Sequence, residues 1–170
     1  MKIVEALKSI KDLKRKADDL REKVKMDCAL SSLDTPKYPD QKRQVSEWIQ
    51  AHSDILKEIS RLKIALMKTN TTTPIAIELG GKQVTKTIAE WVIRRRELAK
   101  EELAMWSVLS DRGIKEGMGT APGGQPLEIK IVRFYDPAER DKKKELFASE
   151  PSVIDGRLEV ANAITDLIEA

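Results

Sequence analysis

Two runs of apolar residues, spaced alternately three and four apart, constrain this chain more than any other feature. Ile3, Ala6, Ile10, Leu13, Ala17, Leu20 and Val24 form the first run. Val45, Trp48, His52, Ile55, Ile59, Leu62 and Leu66 form the second, with Ile49 and Leu56 widening it. This heptad spacing keeps one face of an α-helix against a neighbouring helix, as in a coiled-coil seam. Between the runs, "SSLDTPKYPDQ" holds two prolines and several turn formers, which end the first helix and let the chain return antiparallel. A helical hairpin over residues 1–68 is the expectation, about 35 to 40 Å long. On the flanks, Asp12/Lys16 and Asp19/Lys23 place acid four residues before base, which helps an exposed helix.

The composition agrees with long amphipathic helices: charged residues make up 35% and aromatic residues only 4%. Lys and Arg number 31 against 28 Asp and Glu, so the net charge of +3 provides no large field of one sign for a polyanion. Cys28 is the only cysteine, which excludes an intrachain disulfide. The opening "MKIVEALKSIKDLKRK" lacks the apolar core and cleavage site of a signal peptide. No segment reaches the ~20 apolar residues of a membrane helix. A cytoplasmic protein is expected, or a virion protein if phage-encoded, with no membrane partner.

"TNTTTPIAIELGGKQVTKTIAEW", residues 69–91, interrupts the helical pattern. Ile75, Ile77 and Leu79 alternate as one face of a strand, and Gly80-Gly81 can supply the positive φ angles of a two-residue hairpin turn before "KQVT" returns. Thr87 followed by Glu90 reads as a capping box that restarts helix. The third helix, about 87–111, carries a broad stripe that includes Trp91, Leu98, Met105 and Leu109. After the glycine-rich "DRGIKEGMGTAPGGQP", the segment "LEIKIVRFY" alternates as a strand, and the 75–85 hairpin is its expected neighbour in a three-stranded sheet, within one chain or between chains. The chain closes as helix, with a break or bend expected near Pro151 and Gly156. The reading is therefore mainly α: a coiled-coil-like antiparallel hairpin plus third and C-terminal helices, with a small β-hairpin or three-stranded sheet insert. It is one domain, residues 1–170, in segments 1–68, 69–136 and 137–170.

This order of elements, with "TNTTT", "IELGGKQVT", "RRRELAKEEL", "EIKIVRFYD" and "DGRLEVANAITDL", is similar to the septicolysin-like family of small helical proteins from bacteria and phages. Asp155, Arg157, Leu158, Ala161, Asn162, Thr165, Asp166 and Leu167 fit its C-terminal pattern. The resemblance implies a helical, oligomeric fold without established catalytic residues.

The residues supply little chemistry. His52 is the only histidine and stands on the heptad stripe, where packing is the expected role. One His and one Cys cannot make a zinc site. The glycine loop lacks the Lys-Ser or Lys-Thr of a phosphate-binding P-loop and the third glycine of a dinucleotide fingerprint. Asn70-Thr71-Thr72 matches a glycosylation acceptor, read here as a cap or turn. No catalytic residue, metal or cofactor is expected, and the chain is read as not an enzyme.

The breadth of the third stripe points instead to a homo-oligomer with Trp91, Arg95, Leu98, Glu102, Met105 and Leu109 at its interface. Arg95 and Glu102 are seven residues apart, so two copies crossing antiparallel near Leu98 and Ala99 would set each Arg95 against the other's Glu102. A structural protein that assembles with itself, and with other structural proteins of a particle such as a phage virion, is the leading expectation. The alternative is a nucleic-acid-binding helical protein using Lys14, Arg15, Lys16 and Arg94 to Arg96 on phosphates, although the balanced charge and long hairpin argue against it.

Overall fold

A computed structural model describes residues 1–169 and is mainly helical. Helix α1 (Ile3–Asp27) and helix α2 (Gln41–Thr72) pair as the expected hairpin. Their start signals are local. The Lys2 N–H donates to the Glu5 carboxylate at 2.7 Å, and the Asp40 carboxylate accepts from the Arg43 N–H at 2.9 Å. At the connection, the Gln41 side-chain amide donates to the Asp27 carbonyl at 2.8 Å, and Tyr38 meets Trp48 edge-on with ring centroids 5.4 Å apart.

Strands β1 (Pro74–Leu79) and β2 (Lys82–Thr87) follow, antiparallel, with Leu79 opposite Lys82. Gly80 and Gly81 have φ of 57° and 77°, the left-handed pair that a two-residue turn of this twist requires. Next come helix α3 (Ile88–Ile93), a π turn (Arg94–Leu98) and helix α4 (Ala99–Ser107) as one helical run. Strands β3 (Gly117–Thr120) and β4 (Pro126–Ile129) form a second hairpin, and helix α5 (Pro137–Ile164) completes the order.

The chain divides into two compact units, one of Met1–Thr73 with the chain from Glu159 onward, the other of Pro74–Leu158. This partition cuts across the expected segments 1–68, 69–136 and 137–170, because the end of the chain is tied to its beginning. Lys2 and Asp166 form an antiparallel bridge, the Ile3 N–H donates to the Thr165 carbonyl at 3.1 Å, and the Leu167 N–H donates to the Met1 carbonyl at 2.7 Å. The Thr69 hydroxyl donates to the Ala65 carbonyl and accepts from the Ile168 N–H, both at 2.8 Å. Ile3, Ala6 and Ile10 of α1, Ile59, Leu62, Ala65, Leu66 and Thr69 of α2, and Ala161 of α5 are buried in this unit.

Three local expectations need correction. "TNTTT" is helix, not turn: the hydroxyls of Thr69, Thr71 and Thr72 bond back to the carbonyls of Ala65, Met67 and Lys68, which satisfies these β-branched residues inside the last turns of α2. The three-stranded sheet does not form within the chain, and the described residues hold two separate two-stranded hairpins. The partner of β4 is β3, drawn from the glycine-rich segment itself. Closing that short loop costs less chain entropy than reaching back to the 75–85 hairpin. Glycine lets the Ile129 side chain lie close over β3, since a Cβ on Gly119 would stand 2.5 Å from its tip and displace it. Finally, α5 passes through Pro151 and Gly156 without a break. Pro151 removes one N–H from the helix, but Glu150, Ile154 and Leu158 hold a buried face on both sides of it.

Candidate interaction surface on the third helical run

The run from Ile88 to Ser107 begins where the Thr87 hydroxyl accepts from the Glu90 N–H at 3.3 Å and the Glu90 carboxylate accepts from the Thr87 N–H at 2.7 Å. The Thr87 hydroxyl also donates to this carboxylate at 2.8 Å, and the backbone bond first and the hydroxyl second hold the Glu90 carboxyl below its ordinary pKa. Ile88 and Trp91 then face inward, and the Trp91 indole N–H donates to the Ile75 carbonyl at 3.0 Å, which pins the run to β1. The π turn follows, closed by the Ala99 N–H donating to the Arg94 carbonyl, and Ala99 is again buried.

The three arginines of this turn have different surroundings. Arg94 makes a bidentate pair with Glu150 of α5, at 2.6 and 2.9 Å, and its guanidinium lies 5.5 Å from the Phe147 ring centre. Glu150 is only 3% exposed, so this pair is a desolvated ion pair whose geometry satisfies both carboxylate oxygens. The Glu150 hydrogen bonds raise the Arg94 pKa further. Glu102, one turn beyond the π turn, stands 3.7 Å from the same guanidinium. Arg95 pairs with Asp155, and Arg96 is exposed.

The six residues expected at an interface are therefore distributed as follows. Trp91 is fully buried within its own unit and offers no outer surface. Arg95 and Glu102 each have a partner in the same chain, Asp155 and Arg94. Leu109 is half-buried, its carbonyl accepting from Arg140 at 3.2 Å. Leu98 and Met105 remain open, 46% and 67% exposed, two turns apart on one face. Leu98 also borders a groove of about 490 Å³ lined by Leu79, Val84, Ile93, Leu146 and Phe147, with the Arg94–Glu150 pair in its wall.

A second polar cluster had no sequence signal beyond ordinary charged residues. Arg133 makes a bidentate pair with Asp111 at 2.7 Å for both bonds, and the Tyr135 hydroxyl donates to Asp111 at 3.2 Å. The Arg133 bonds hold the Asp111 carboxyl below its ordinary pKa. These links tie the loops on either side of the β3–β4 hairpin together. His52 lines a shallow groove on the α1–α2 hairpin with Leu20 and Val24. Among the described residues no three His, Cys, Asp or Glu side chains come together as a metal site, and no helix is long and apolar enough to cross a membrane.

Fold and surface together define a mainly helical scaffold with two small β-hairpins, whose open features are apolar faces and structural ion pairs. Its fold is similar to the crystal structure of a functionally unknown conserved protein from Corynebacterium diphtheriae, with a TM-score of 0.58 and 20% identity over 99% of each chain. At that identity the likeness concerns fold alone. No family model and no curated protein matches the chain.

Proposed function

We propose that this chain is a non-enzymatic structural protein that self-associates through the open face of its third helical run, as a component of a larger assembly such as a virion. The observation that carries this reading is the pair Leu98 and Met105. Both stay exposed after the run has buried Ile88, Trp91 and Ala99, beside an apolar groove that extends the same surface. Arg94, Arg95 and Glu102 near them are already paired within the chain, which leaves Leu98 and Met105 themselves as the contact this face offers a partner. Arg94 and Arg95 pair with carboxylates in the chain, which favours this reading over phosphate binding at those two positions.

Sedimentation of the wild-type chain over a wide concentration range, beside a Leu98→Lys/Met105→Lys variant, tests the proposal. The wild type is expected to form an oligomer that the variant loses while keeping its helical circular dichroism. A wild type that stays monomeric at high concentration refutes self-association. An oligomer untouched by both substitutions refutes this face.

A further inference from the structure

The segment "PLEIKIV", residues 126–132, is a palindrome of chemical character about Ile129. Counted outward from that residue, Glu128 matches Lys130 as acid to base, Leu127 matches Ile131, and Pro126 matches Val132. The first four of these residues are strand β4, and the hairpin that they form with β3 is two-stranded. The outer edge of β4 is thus open among the described residues, and Pro126, Glu128, Lys130 and Val132 along it are all exposed.

The hairpin fixes which main-chain groups that edge presents. The Ala121 N–H donates to the Gln125 carbonyl at 2.8 Å, and bonded pairs recur every second residue of an antiparallel ladder, so Leu127 and Ile129 aim their N–H and C=O groups at β3. Pro126, which has no N–H to give, falls opposite Thr120 in a non-bonded pair, as this alternation demands. Beyond the strand the Ile131 N–H turns to the β3 side again, donating to the Glu116 carboxylate at 3.3 Å. The N–H and C=O groups of Glu128 and Lys130 are left pointing outward, a template for another strand.

We propose that this edge pairs antiparallel with the same edge of a second copy about a two-fold axis at Ile129, giving a four-stranded sheet across two chains with the two β4 strands at its centre. Glu128 and the second copy's Lys130 then exchange main-chain hydrogen bonds and stand opposite each other as acid and base. Pro126 meets Val132 on the same face; on the other face Ile129 meets its counterpart and Leu127 meets Ile131. Within one chain the Lys130 ammonium lies 3.5 Å from the Glu128 carboxylate, both groups mostly exposed. The second copy adds an opposite neighbour to each, so acids and bases alternate around the axis.

The competing registers lose these matches. An axis at Glu128 or at Lys130 sets like charges opposite each other. An axis at Leu127 puts Glu128 against Pro126, which has no N–H to donate, and one at Ile131 puts Ile129 against Arg133, which Asp111 already holds. The outer edge of β3 is a poorer template, because Gly117 and Gly119 bring no side chains to fix a register and Gly117 has a φ of 146°.

Cysteine trapping in the full chain separates this pairing from one through Leu98 and Met105. In a Cys28→Ser background, Ile129→Cys stands opposite itself in a non-bonded pair, where Cα atoms about 4.5 Å apart suit a disulfide. Oxidation is expected to yield several-fold more covalent dimer from Ile129→Cys than from Leu127→Cys or Ile131→Cys alone, and mixing the last two is expected to recover the yield. Equal yields from the three single variants overturn the proposal. The trap is expected to survive addition of Leu98→Lys/Met105→Lys, and its loss would assign the pairing to the third helical run and overturn this one. In the wild type, amide exchange at Glu128 and Lys130 is expected to slow as protein concentration rises; rates independent of concentration overturn the pairing. Glu128→Lys is expected to weaken association about two- to ten-fold and Lys130→Glu in the same chain to restore it, and no recovery overturns the register.

Discussion

The two ends of the α1–α2 hairpin share one sequence pattern and differ in depth. At the end where the chain begins, Ile3, Ala6 and Ile10 are buried with Ile59, Leu62 and Leu66. Toward the connecting loop, Leu20, Val24, Val45, Trp48 and His52 continue the same spacing and are only half buried. Two helices bury a stripe on each other but leave its edges wet, and full burial takes a third element. The first end has one. The segment from Glu159 returns to it, bridging Lys2 to Asp166 and hydrogen-bonding Thr69, while the loop end has the Gln41 clip, the Lys37–Asp27 pair and the Tyr38–Trp48 contact and no further helix or strand among the described residues. Periodicity therefore reports which face a residue occupies, and topology decides how dry that face becomes.

The sharpest way to break this contrast is a charge. Ile59→Asp places a carboxylate among buried residues and is expected to cost about 4 kcal/mol or more, enough to unfold the hairpin unit in a thermal melt. Ile55→Asp, one step along the seam and half exposed, should cost far less; equal losses would remove the distinction between the ends. Truncation sharpens it next. Leu62→Ala is expected to lose about 3 kcal/mol by urea unfolding and Leu20→Ala about 1 kcal/mol, because only the first leaves an enclosed cavity.

The third element itself is tested by Thr69→Val. This change keeps the shape but leaves the Ile168 N–H without its acceptor, for about 1–2 kcal/mol and faster amide exchange in the last residues. The smallest effect concerns pH. The Lys2 hydrogen bond lowers the Asp166 carboxyl pKa, so its stabilising contribution is complete above the ordinary aspartate range and is lost as pH falls through the lowered value. The wild type should therefore lose slightly more stability on acidification than Asp166→Asn does, measured by melts at successive pH values.

Much of the fold was legible because its signals are local. The heptad stripes marked both long helices, Gly80-Gly81 marked the first hairpin turn, and the Thr87/Glu90 box marked the restart of helix. The errors lie where a long-range contact or a side-chain bond overrides a local preference. Threonines that read as a turn complete a helix through their own hydroxyls, and Pro151 sits inside a helix held by the buried residues around it. The candidate surface was legible as a stripe but not as a set of partners. Nothing in "RRRELAKEEL" says that Arg94 will meet Glu150 or Arg95 meet Asp155, residues more than fifty positions away, and Trp91 differs from Met105 only in what the β-hairpin covers. Leu98 and Met105 show why composition alone could not rank the six: exposure is a property of the packed unit.

The π turn at Arg94–Leu98 bears on how this chain can change length. Trp91 and Ala99 are eight residues apart, which in an unbroken α-helix would set them about 80° out of phase, yet both are buried. The wide turn absorbs one residue and restores the phase, as though the helix carried a single inserted codon that it never removed. A one-residue deletion between Arg94 and Leu98, ordinarily ruinous in a helix because it rotates everything downstream, would here leave Trp91 and Ala99 on one face. A second insertion at the same place would have no such slack to draw on.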